Sequence, residues 1–335
     1  MWTLIAVFAC RRDEPPASHA PDPTPPADTT HAPGDSGHTS QTGETGEPPE
    51  LAWVWLKQGA PDKGLGLVSD GTVRCWGHNE WVDACAPSDA TFSQVHIGTD
   101  GACGIRTSGE VACWCWDRGP GTGIEPFCDD EPPGTDYVRV VVGAGYGCAQ
   151  RTDGTLRCFG EPHPPPPTEP VLDFDIEDDA SCAVFLDGRL ECWELPSMWE
   201  TETPALTLPT GTFSRVAIGR AWVCGLDEAG DMRCGGPTWE HADTGAAEWE
   251  LAPELVPGPF TAVDSTYLVT CGLREDGHPG CWYGNSDAAV WGVVPDLAFA
   301  QLGLGESGGC GLLVDGTPTC WSSVPDVPTV DIPEL

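Results

Sequence analysis

The chain has 335 residues, with 52 acidic and 15 basic side chains and a formal net charge of −37. A surface this acidic repels phosphate groups, which argues against nucleic acid as a partner and against electrostatic docking on an anionic membrane. The 17 cysteines are typical of an oxidising compartment, where they pair and hold loop-rich folds together, so we expect an exported protein.

The N-terminus resembles a lipoprotein-type signal peptide, which we expect to span residues 1–10. A short apolar run begins at Trp2 and ends at Ala9-Cys10, and a charged, proline-rich stretch begins at Arg11. In such precursors the thiol of Cys10 would receive a diacylglyceryl group and become the new N-terminus. The alternative is a chance hydrophobic start with a free cysteine, because no Lys or Arg precedes the run.

Residues 11–50 contain mainly Pro, Thr, Ser, Gly, Asp, Glu and Ala, and no aromatic residue that could be buried. This composition predicts a disordered tether that holds a globular head away from a membrane. We interpret three histidines there as solvated residues rather than a metal site: His19, His31 and His38.

A repeat of about 40 residues organises the chain from residue 51 to residue 335. Six pairs of cysteines are each separated by nine residues, and in a seventh copy Leu65 and Cys75 stand in place of the pair. The six pairs are Cys103 and Cys113, Cys148 and Cys158, Cys182 and Cys192, Cys224 and Cys234, Cys271 and Cys281, and Cys310 and Cys320.

Each copy contains a predicted β-hairpin. A glycine follows the first cysteine position by six residues in all seven copies, usually directly after an aspartate. If this glycine ends a three-residue loop with a positive φ, the two cysteines face each other across antiparallel strands and can form a disulfide. The turn glycines are Gly71, Gly109, Gly154, Gly188, Gly230, Gly277 and Gly316.

The flanking positions predict a further strand before each hairpin. Gly or Ala follows the first cysteine position and leaves space for a neighbouring ring, and an aromatic residue follows the second in six copies. Upstream, residues such as Phe92, Val95, Ile97 and Gly98 recur with the alternation of a strand. Residues 53–59 fit this pattern with one inserted residue. Each copy is therefore an inner strand, a stapled hairpin and a proline-rich connection that could supply a fourth edge strand.

Seven copies of such a unit imply an all-β, seven-bladed β-propeller, because radial repetition lets each sheet bury both faces against its neighbours. The order Phe-x-x-Val-x-Ile-Gly, Cys-Gly-Leu, Asp-Gly-x-Val and Cys-Trp-Gly resembles the repeat of the regulator of chromosome condensation family, in its secreted bacterial form with paired cysteines. The resemblance covers residues 51–335 and likewise implies a seven-bladed propeller. The family's usual Asn-x-x-Gly-Gln-Leu-Gly continuation is retained only in part, at residues 76–79 and 282–285.

The resemblance also implies a protein partner, because other secreted propellers of this repeat family act by docking on proteins, including enzyme inhibition through a propeller face. It does not carry over guanine nucleotide exchange. No exchange residue of the eukaryotic founder can be matched to this chain, and export would remove the GTPase partner from reach.

Four cysteines lie outside the six pairs and Cys10. The local pairing joins Cys75 to Cys85 and Cys115 to Cys128, while pairing across neighbouring blades, Cys75 with Cys115 and Cys85 with Cys128, stays open. A zinc site is a further alternative, but the spacings match no structural zinc pattern and the compartment is oxidising, so we favour disulfides.

No pattern in the sequence indicates catalysis, a metal or a cofactor. Residues 305–309 resemble the stretch around the nucleophile of a serine protease, but the repeat explains their position and no histidine has the surroundings of a base. An acidic run could bind calcium, yet it lacks the spacing of a known loop, and we expect it to face solvent: Asp173, Asp175, Glu177, Asp178 and Asp179. The remaining histidines are scattered over different copies: His78, His96, His163, His241 and His278.

We therefore expect a monomeric, non-enzymatic propeller that binds a protein partner through its loop faces. It would be secreted, or held on the bacterial cell envelope, at the outer membrane, only through the lipid on Cys10. Tryptophans in the connections are candidate anchors for the partner, because aromatic side chains bury much area at a small entropic cost; alternatively, they cover the outer strands of their own blades. The other functional hypotheses are a hydrolytic propeller acting on carbohydrate or peptide and a purely structural envelope protein. The candidate tryptophans are Trp81, Trp116, Trp199, Trp239, Trp249 and Trp291.

Overall fold

The computed structural model describes residues 51–335 except 60–62, 78–84, 86–88, 100, 116–126, 161–164, 178–179, 195–207, 220–221, 236–237, 240–248, 251–253, 267–268, 284–293, 306–307 and 323–331. The signal peptide and tether that we predict for residues 1–50 lie outside the described residues, and so does Cys10. In the part of the chain that is described, no helix is long and apolar enough to cross a membrane.

Seven antiparallel sheets follow one another along the chain and form the blades of a propeller. In every blade the first strand pairs with the second and the second with the third, which is the predicted order of inner strand and hairpin. Blades 1 to 4 consist of β1 (Trp53–Gln58), β2 (Lys63–Val68) and β3 (Val73–Gly77); β4 (Phe92–Ile97), β5 (Gly101–Arg106) and β6 (Val111–Cys115); β7 (Tyr137–Val142), β8 (Tyr146–Arg151) and β9 (Leu156–Gly160); and β10 (Val171–Glu177), β11 (Ala180–Phe185) and β12 (Leu190–Glu194).

The remaining three blades include one with an additional strand. Blade 5 consists of β13 (Phe213–Ile218), β14 (Val223–Asp227), β15 (Met232–Gly235) and β18 (Glu254–Val256), and a separate two-stranded sheet of β16 (Thr238–Trp239) and β17 (Trp249–Glu250) lies between β15 and β18 in the chain. Blade 6 consists of β19 (Phe260–Ser265), β20 (Val269–Arg274) and β21 (Pro279–Tyr283), and blade 7 of β22 (Phe299–Gly305), β23 (Gly308–Leu313) and β24 (Pro318–Ser322). The predicted fourth edge strand is thus present in blade 5, where β18 pairs with β15.

In blade 2 the outer strand, β6, forms a hydrogen bond with a side chain rather than with a fourth strand. The carboxylate of Glu131 accepts a hydrogen bond from the backbone N–H of Cys113 at 2.8 Å. Glu131 follows a turn of 3-10 helix at Phe127–Asp129, which packs between blades 2 and 3. The connections therefore satisfy edge groups that would otherwise be open to pairing with another chain.

The hairpin turns adopt the predicted geometry. All seven turn glycines have φ between +81° and +89°, the left-handed region that favours glycine. The six predicted cysteine pairs lie directly opposite each other in the register. Each forms a disulfide with its Cα atoms 3.9–4.0 Å apart. The prediction of a seven-bladed propeller with disulfide-stapled hairpins is confirmed.

Apolar residues form seven clusters, one between each pair of neighbouring blades. In blade 3, Cys148 packs toward blade 4, whereas Phe159, which follows the second cysteine, packs toward blade 2. The small residue beside the first cysteine makes room for the inner-strand aromatic, since a Cβ atom on Gly104 would lie 2.5 Å from the ring of Phe92. Alternate residues of a strand point to opposite faces, so one short motif encodes both blade interfaces.

The prediction of an inserted residue in the first copy is wrong. Leu56 pairs with Gly66 in the same register as the corresponding residues of blade 2, and both inner strands carry a bulge after their first residue. Gln58 stands at the second aliphatic position of the pattern. A polar residue at this position, rather than a change in length, disturbed the motif.

Neighbouring blades are also joined at the hairpin turns, except where the ring closes. In six blades the turn glycine carbonyl accepts a hydrogen bond from the first residue of the next inner strand, as Gly71 O does from Phe92 N at 2.7 Å. In the described chain, Gly316 of blade 7 accepts no such bond. Instead, the side chain of Gln301 bonds both N and O of Leu56, each at 3.0 Å, between blades 7 and 1.

Candidate functional site

The seven inner strands surround a central channel, and two positions of each strand flank its first aliphatic core residue. Because strand side chains alternate, these positions lie on the face opposite to that residue, toward the inner strand of the next blade. We call them the first and second inward positions. The first are occupied by Trp55, Gln94, Arg139, Asp173, Arg215, Ala262 and Gln301, and the second by Lys57, His96, Val141, Asp175, Ala217, Asp264 and Gly303.

Side chains at the first inward position bond the backbone of the next inner strand. Adjacent inner strands do not pair in a sheet, so their N–H and C=O groups need other partners. Gln94 accepts a hydrogen bond from Val140 N at 2.9 Å and donates one to Val140 O at 3.0 Å. Gln301 bonds blade 1 in the same way. Asp173 accepts a hydrogen bond from Val216 N at 2.9 Å.

Side chains at the second inward position, two residues further along the strand, also form hydrogen bonds with the backbone of the next inner strand. Asp175 and Asp264 accept hydrogen bonds from backbone N–H groups of the following inner strand at 2.8 and 2.7 Å. His96 accepts one through Nδ1 from Val142 N at 3.3 Å, which requires a neutral imidazole. Burial, helped by two nearby basic side chains, lowers the pKa of His96 well below its ordinary value and keeps it neutral.

The acidic residues of β10 do not form a solvated face, contrary to our expectation. Asp173 is 2% exposed and forms an ion pair with Arg139. Asp175 and Glu177 line the channel. The second face of this strand is enclosed because the ring of blades closes around it, which alternation along one strand does not reveal. Asp178 and Asp179 lie outside the described residues.

A lysine lies among three carboxylates in the channel. Lys57 Nζ is 3.0 Å from Asp264 Oδ1. Burial acts to lower the pKa of Lys57, but the negative charges of Asp264, Asp175 and Glu177 together raise it above its ordinary value. Burial raises the pKa of Asp175 to about 6, and Lys57 offsets only part of this effect. The channel thus holds one carboxylate whose charge is poorly compensated.

A cavity of about 290 Å³ occupies the channel and continues between blades 6 and 7. Residues from all seven inner strands contribute to its wall. The channel side carries charged and amide side chains, whereas the side between the blades is apolar, with Cys271, Leu273 and Leu302. A second cavity of about 40 Å³ adjoins it, and Lys57 and Asp175 border both.

The hairpin turns and the beginnings of the inner strands lie at one end of the propeller, which we call the hairpin face. The turns and the strand beginnings are joined by backbone hydrogen bonds, such as the one that Ser69 N donates to Ala52 O at 2.8 Å. Nine large hydrophobic residues of the described chain are exposed, and seven of them lie on this face, at three positions of the repeat. The seven are Leu51 and Leu297 before the inner strand, Val54, Val138 and Leu172 at its bulge, and Leu186 and Val314 in the turn.

By their positions in the repeat, these seven residues fall into two groups, one on the neighbouring blades 7 and 1 and the other on the neighbouring blades 3 and 4, which we call the apolar patches. Leu186 and Val314, one in each patch, are 68% and 66% exposed. In blade 2 the bulge position instead holds a hydroxyl that bonds back to its own sheet, from Ser93 Oγ to Ile105 O at 3.2 Å. The apolar residues therefore stand where another blade has a polar residue with a local partner.

Aspartates in the hairpin turns place negative charge beside the patches. Asp70 and Asp153 each accept hydrogen bonds from the hydroxyl and the backbone N–H of the threonine two residues later. These bonds lower the pKa of both carboxyl groups below the ordinary value, and so keep them ionised. The hairpin face thus combines apolar patches with fixed negative charges.

The four remaining cysteines have the local pairing. Cys75 is bonded to Cys85 and Cys115 to Cys128, with Cα atoms 5.8 and 5.9 Å apart. Opposite Cys75 in the register lies Leu65, as the repeat predicts. All sixteen cysteines after Cys10 are therefore paired in eight disulfides.

The structure places few of the other residues that the sequence singled out. Trp81, Trp116, Trp199 and Trp291 lie outside the described residues, and so do the side chains of Trp239 and Trp249. Their role in binding stays a prediction. Residues 305–309 join β22 to β23, as the repeat requires, with 306 and 307 outside the described chain. Among the residues described, no group of three or more His, Cys, Asp or Glu side chains is arranged to hold a metal ion.

No protein-family model and no curated protein matches the chain. Among solved structures, the CRINKLY WD40 ectodomain of the receptor kinase ACR4 from Arabidopsis thaliana has a TM-score of 0.58 and 20% identity, with 84% of this chain and 100% of that chain covered. The entire ectodomain of the receptor kinase CR4 from Physcomitrella patens has a TM-score of 0.57 and 22% identity, covering 82% and 75%. The β-propeller domain of Cps50 (Swd1) from Myceliophteria thermophila has a TM-score of 0.51 and 11% identity, covering 81% and 96%. These likenesses support the propeller fold.

Proposed function

We propose that this protein is a non-enzymatic propeller that binds a protein partner through its hairpin face. The observation that carries the proposal is the pair of apolar patches on that face. Exposed apolar residues scattered singly are ordinary, but residues gathered at equivalent repeat positions on one end of a molecule are typical of an interaction site.

The structure beneath the patches favours binding. Disulfides fix the strands of six hairpins, and hydrogen bonds from the turns fix each blade to the next. A partner that docks on these turns would order little additional chain, which keeps the entropic cost of association small. The turn aspartates and the net charge of −37 favour a partner that presents basic as well as apolar side chains.

We further propose that the chain is a monomeric member of the secreted bacterial, cysteine-paired form of the regulator of chromosome condensation repeat family. The seven-bladed fold and the paired cysteines support this assignment. Eight disulfides indicate an oxidising compartment, and the sequence around Cys10 favours a lipid anchor on the envelope. Tryptophans of the connections would extend the binding surface beyond the hairpin face.

Replacement of one residue in each patch tests the proposed function. We expect affinity capture from the native envelope with the full chain to retain a protein that the double variant Leu186→Ser, Val314→Ser retains at least tenfold less, with an unchanged thermal midpoint. Leu255→Ser is the matched control, because Leu255 is 47% exposed but lies on outer strand β18.

Two results would contradict the proposal. One is equal retention by wild type and double variant. The other is turnover of a carbohydrate or peptide substrate by the purified chain, which would make it a hydrolase.

A further inference from the structure

The cavity in the channel has two chemically different walls. One is the polar lining of the inner strands, and the other is the apolar slot between blades 6 and 7, formed by Cys271, Leu273 and Leu302. The inner strand of blade 6 carries a small residue, Ala262, beside this slot. A volume of about 290 Å³ is the share of about ten water molecules in the liquid. Such a site suits a small group with an apolar part and a polar end.

The charges on the polar wall set the sign of that polar end. Arg139 is paired with Asp173, and Lys57 with Asp264. The remaining carboxylate on this wall is Asp175. Its Oδ2 accepts a hydrogen bond from Ile218 N, and it forms no ion pair within the described chain.

The other charged groups near the channel do not reverse this sign. Glu177 adds a second negative charge beside Asp175, at the smaller cavity. Arg215 holds a first inward position near Arg139 but does not itself line the cavity, and it does not outweigh the carboxylates of Asp173, Asp175, Asp264 and Glu177. Because the field of the whole protein is also negative, a cation is attracted from a distance and at the site.

We propose that this cavity binds an alkylammonium group, with the ammonium beside Asp175 and the alkyl chain in the slot between blades 6 and 7. The ammonium donates hydrogen bonds to the carboxylate and replaces the water that a buried charge otherwise requires. The alkyl chain buries apolar surface against Leu273 and Leu302. The side chains of Lys57 and Asp264 are 14% and 25% exposed, so the polar wall is open to solvent.

The alkylammonium group has two possible sources, a free amine or the lysine side chain of a protein. In the first case the inference stands apart from the proposed function. In the second case it rests on that function, since the lysine would belong to the partner on the hairpin face. The experiment therefore includes both.

Calorimetric titration of the full chain at pH 7.5 tests the inference with n-butylamine, with n-butanol and butyrate as matched neutral and anionic probes. We expect saturable one-to-one binding of n-butylamine and at least tenfold weaker binding of the other two. Binding of n-butylamine should weaken at least tenfold in Asp175→Asn, whose amide oxygen can still accept the bond from Ile218 N. It should also weaken in Ala262→Leu, which fills the cavity. Glu228→Gln removes one exposed negative charge from a turn and should bind as wild type does.

A pentapeptide with a central lysine, compared with the same peptide carrying acetyl-lysine, distinguishes the sources. If the chain binds n-butylamine and the lysine peptide but not the acetyl-lysine peptide, the source is a protein side chain. If it binds n-butylamine but neither peptide, the source is a free amine. The inference is overturned if n-butylamine does not saturate the wild type, if n-butanol binds as tightly, or if Asp175→Asn and Ala262→Leu, shown to be folded, bind n-butylamine as wild type does. None of these results alters the capture experiment at Leu186 and Val314, so the two proposals fail separately.

Discussion

Neighbouring residues in the third strand of a blade belong to different interfaces. In blade 6, Cys271 and Cys281 pack toward blade 7, while Trp282 packs toward blade 5. The sequence predicts this separation because strand side chains alternate, and it predicts the disulfides because the turn fixes the register.

The same alternation did not identify the channel. It places Asp173 and Asp175 on the face opposite the core residues of β10, but whether that face meets solvent depends on strands far away in the sequence. Val216 and Ile218, which donate to these carboxylates, lie 43 residues further along the chain. The signal available in the sequence was the run of polar residues at both inward positions, such as Gln94 and His96.

The ionisation of Asp175 should make folding stability fall as the pH rises. Burial raises the pKa of Asp175 from 3.8 to about 6, so between these pH values the folded state holds a proton that the unfolded chain has lost. Stability decreases through this window and stays lower above it.

Asp175→Asn should remove this loss. We expect the stability of the variant relative to wild type to rise by about 2 kcal/mol between pH 4 and pH 7.5. Urea unfolding at both pH values measures it, and a relative stability that is equal at the two pH values would contradict the assignment.

Each inner strand has a sheet partner on one side only. On the other side, in several blades, side chains of a neighbouring inner strand form hydrogen bonds with its backbone. Gln94 and Gln301 make equivalent pairs of hydrogen bonds, the first between blades 2 and 3 and the second between blades 7 and 1. Their contexts differ, because blades 2 and 3 are consecutive in the chain and are also joined by the hydrogen bond that Tyr137 N donates to Gly109 O at 3.1 Å. Gln301 and Leu56 are 245 residues apart.

Gln301→Ala should therefore open the ring where Gln94→Ala does not. Each substitution removes the two hydrogen bonds to the neighbouring blade and should cost about 1–3 kcal/mol, because a buried backbone group loses its partner. Only Gln301→Ala is expected to accelerate amide hydrogen exchange in β1 and β22, measured by mass spectrometry. Equal acceleration in both variants would show that ring closure does not depend on this side chain.

At the scale of the whole molecule, the eight disulfides indicate an oxidising environment and hold the hairpins of the propeller together. The repeat predicted the number of blades because each copy carries its own staple and turn. It did not predict the binding surface, because the residues of the apolar patches vary among copies: position 54 is Val, whereas the equivalent position 93 is Ser. Such departures from a repeat become visible as a surface only when the copies are placed in a ring.

The proposed anchor makes a separate prediction for the intact protein. Cys10→Ala should move the protein from the membrane fraction to the soluble fraction, because no thiol remains at position 10 to carry the lipid. Arg12→Ala, two residues away, should leave it with the membranes. Fractionation followed by immunoblotting measures both, and membrane retention of Cys10→Ala would exclude this anchor.

Hydroxyl-radical footprinting of the complex with the captured partner tests the central claim most directly, because it reports the solvent access of individual leucine and valine side chains. We predict that Leu172, Leu186 and Val314 lose most of their reactivity in the complex, while Leu255 on the outer strand of blade 5 keeps its own. Unchanged reactivity of the hairpin-face residues, with protection confined to Leu255 or to the tryptophans of the connections, would contradict the assignment of the hairpin face as the binding surface.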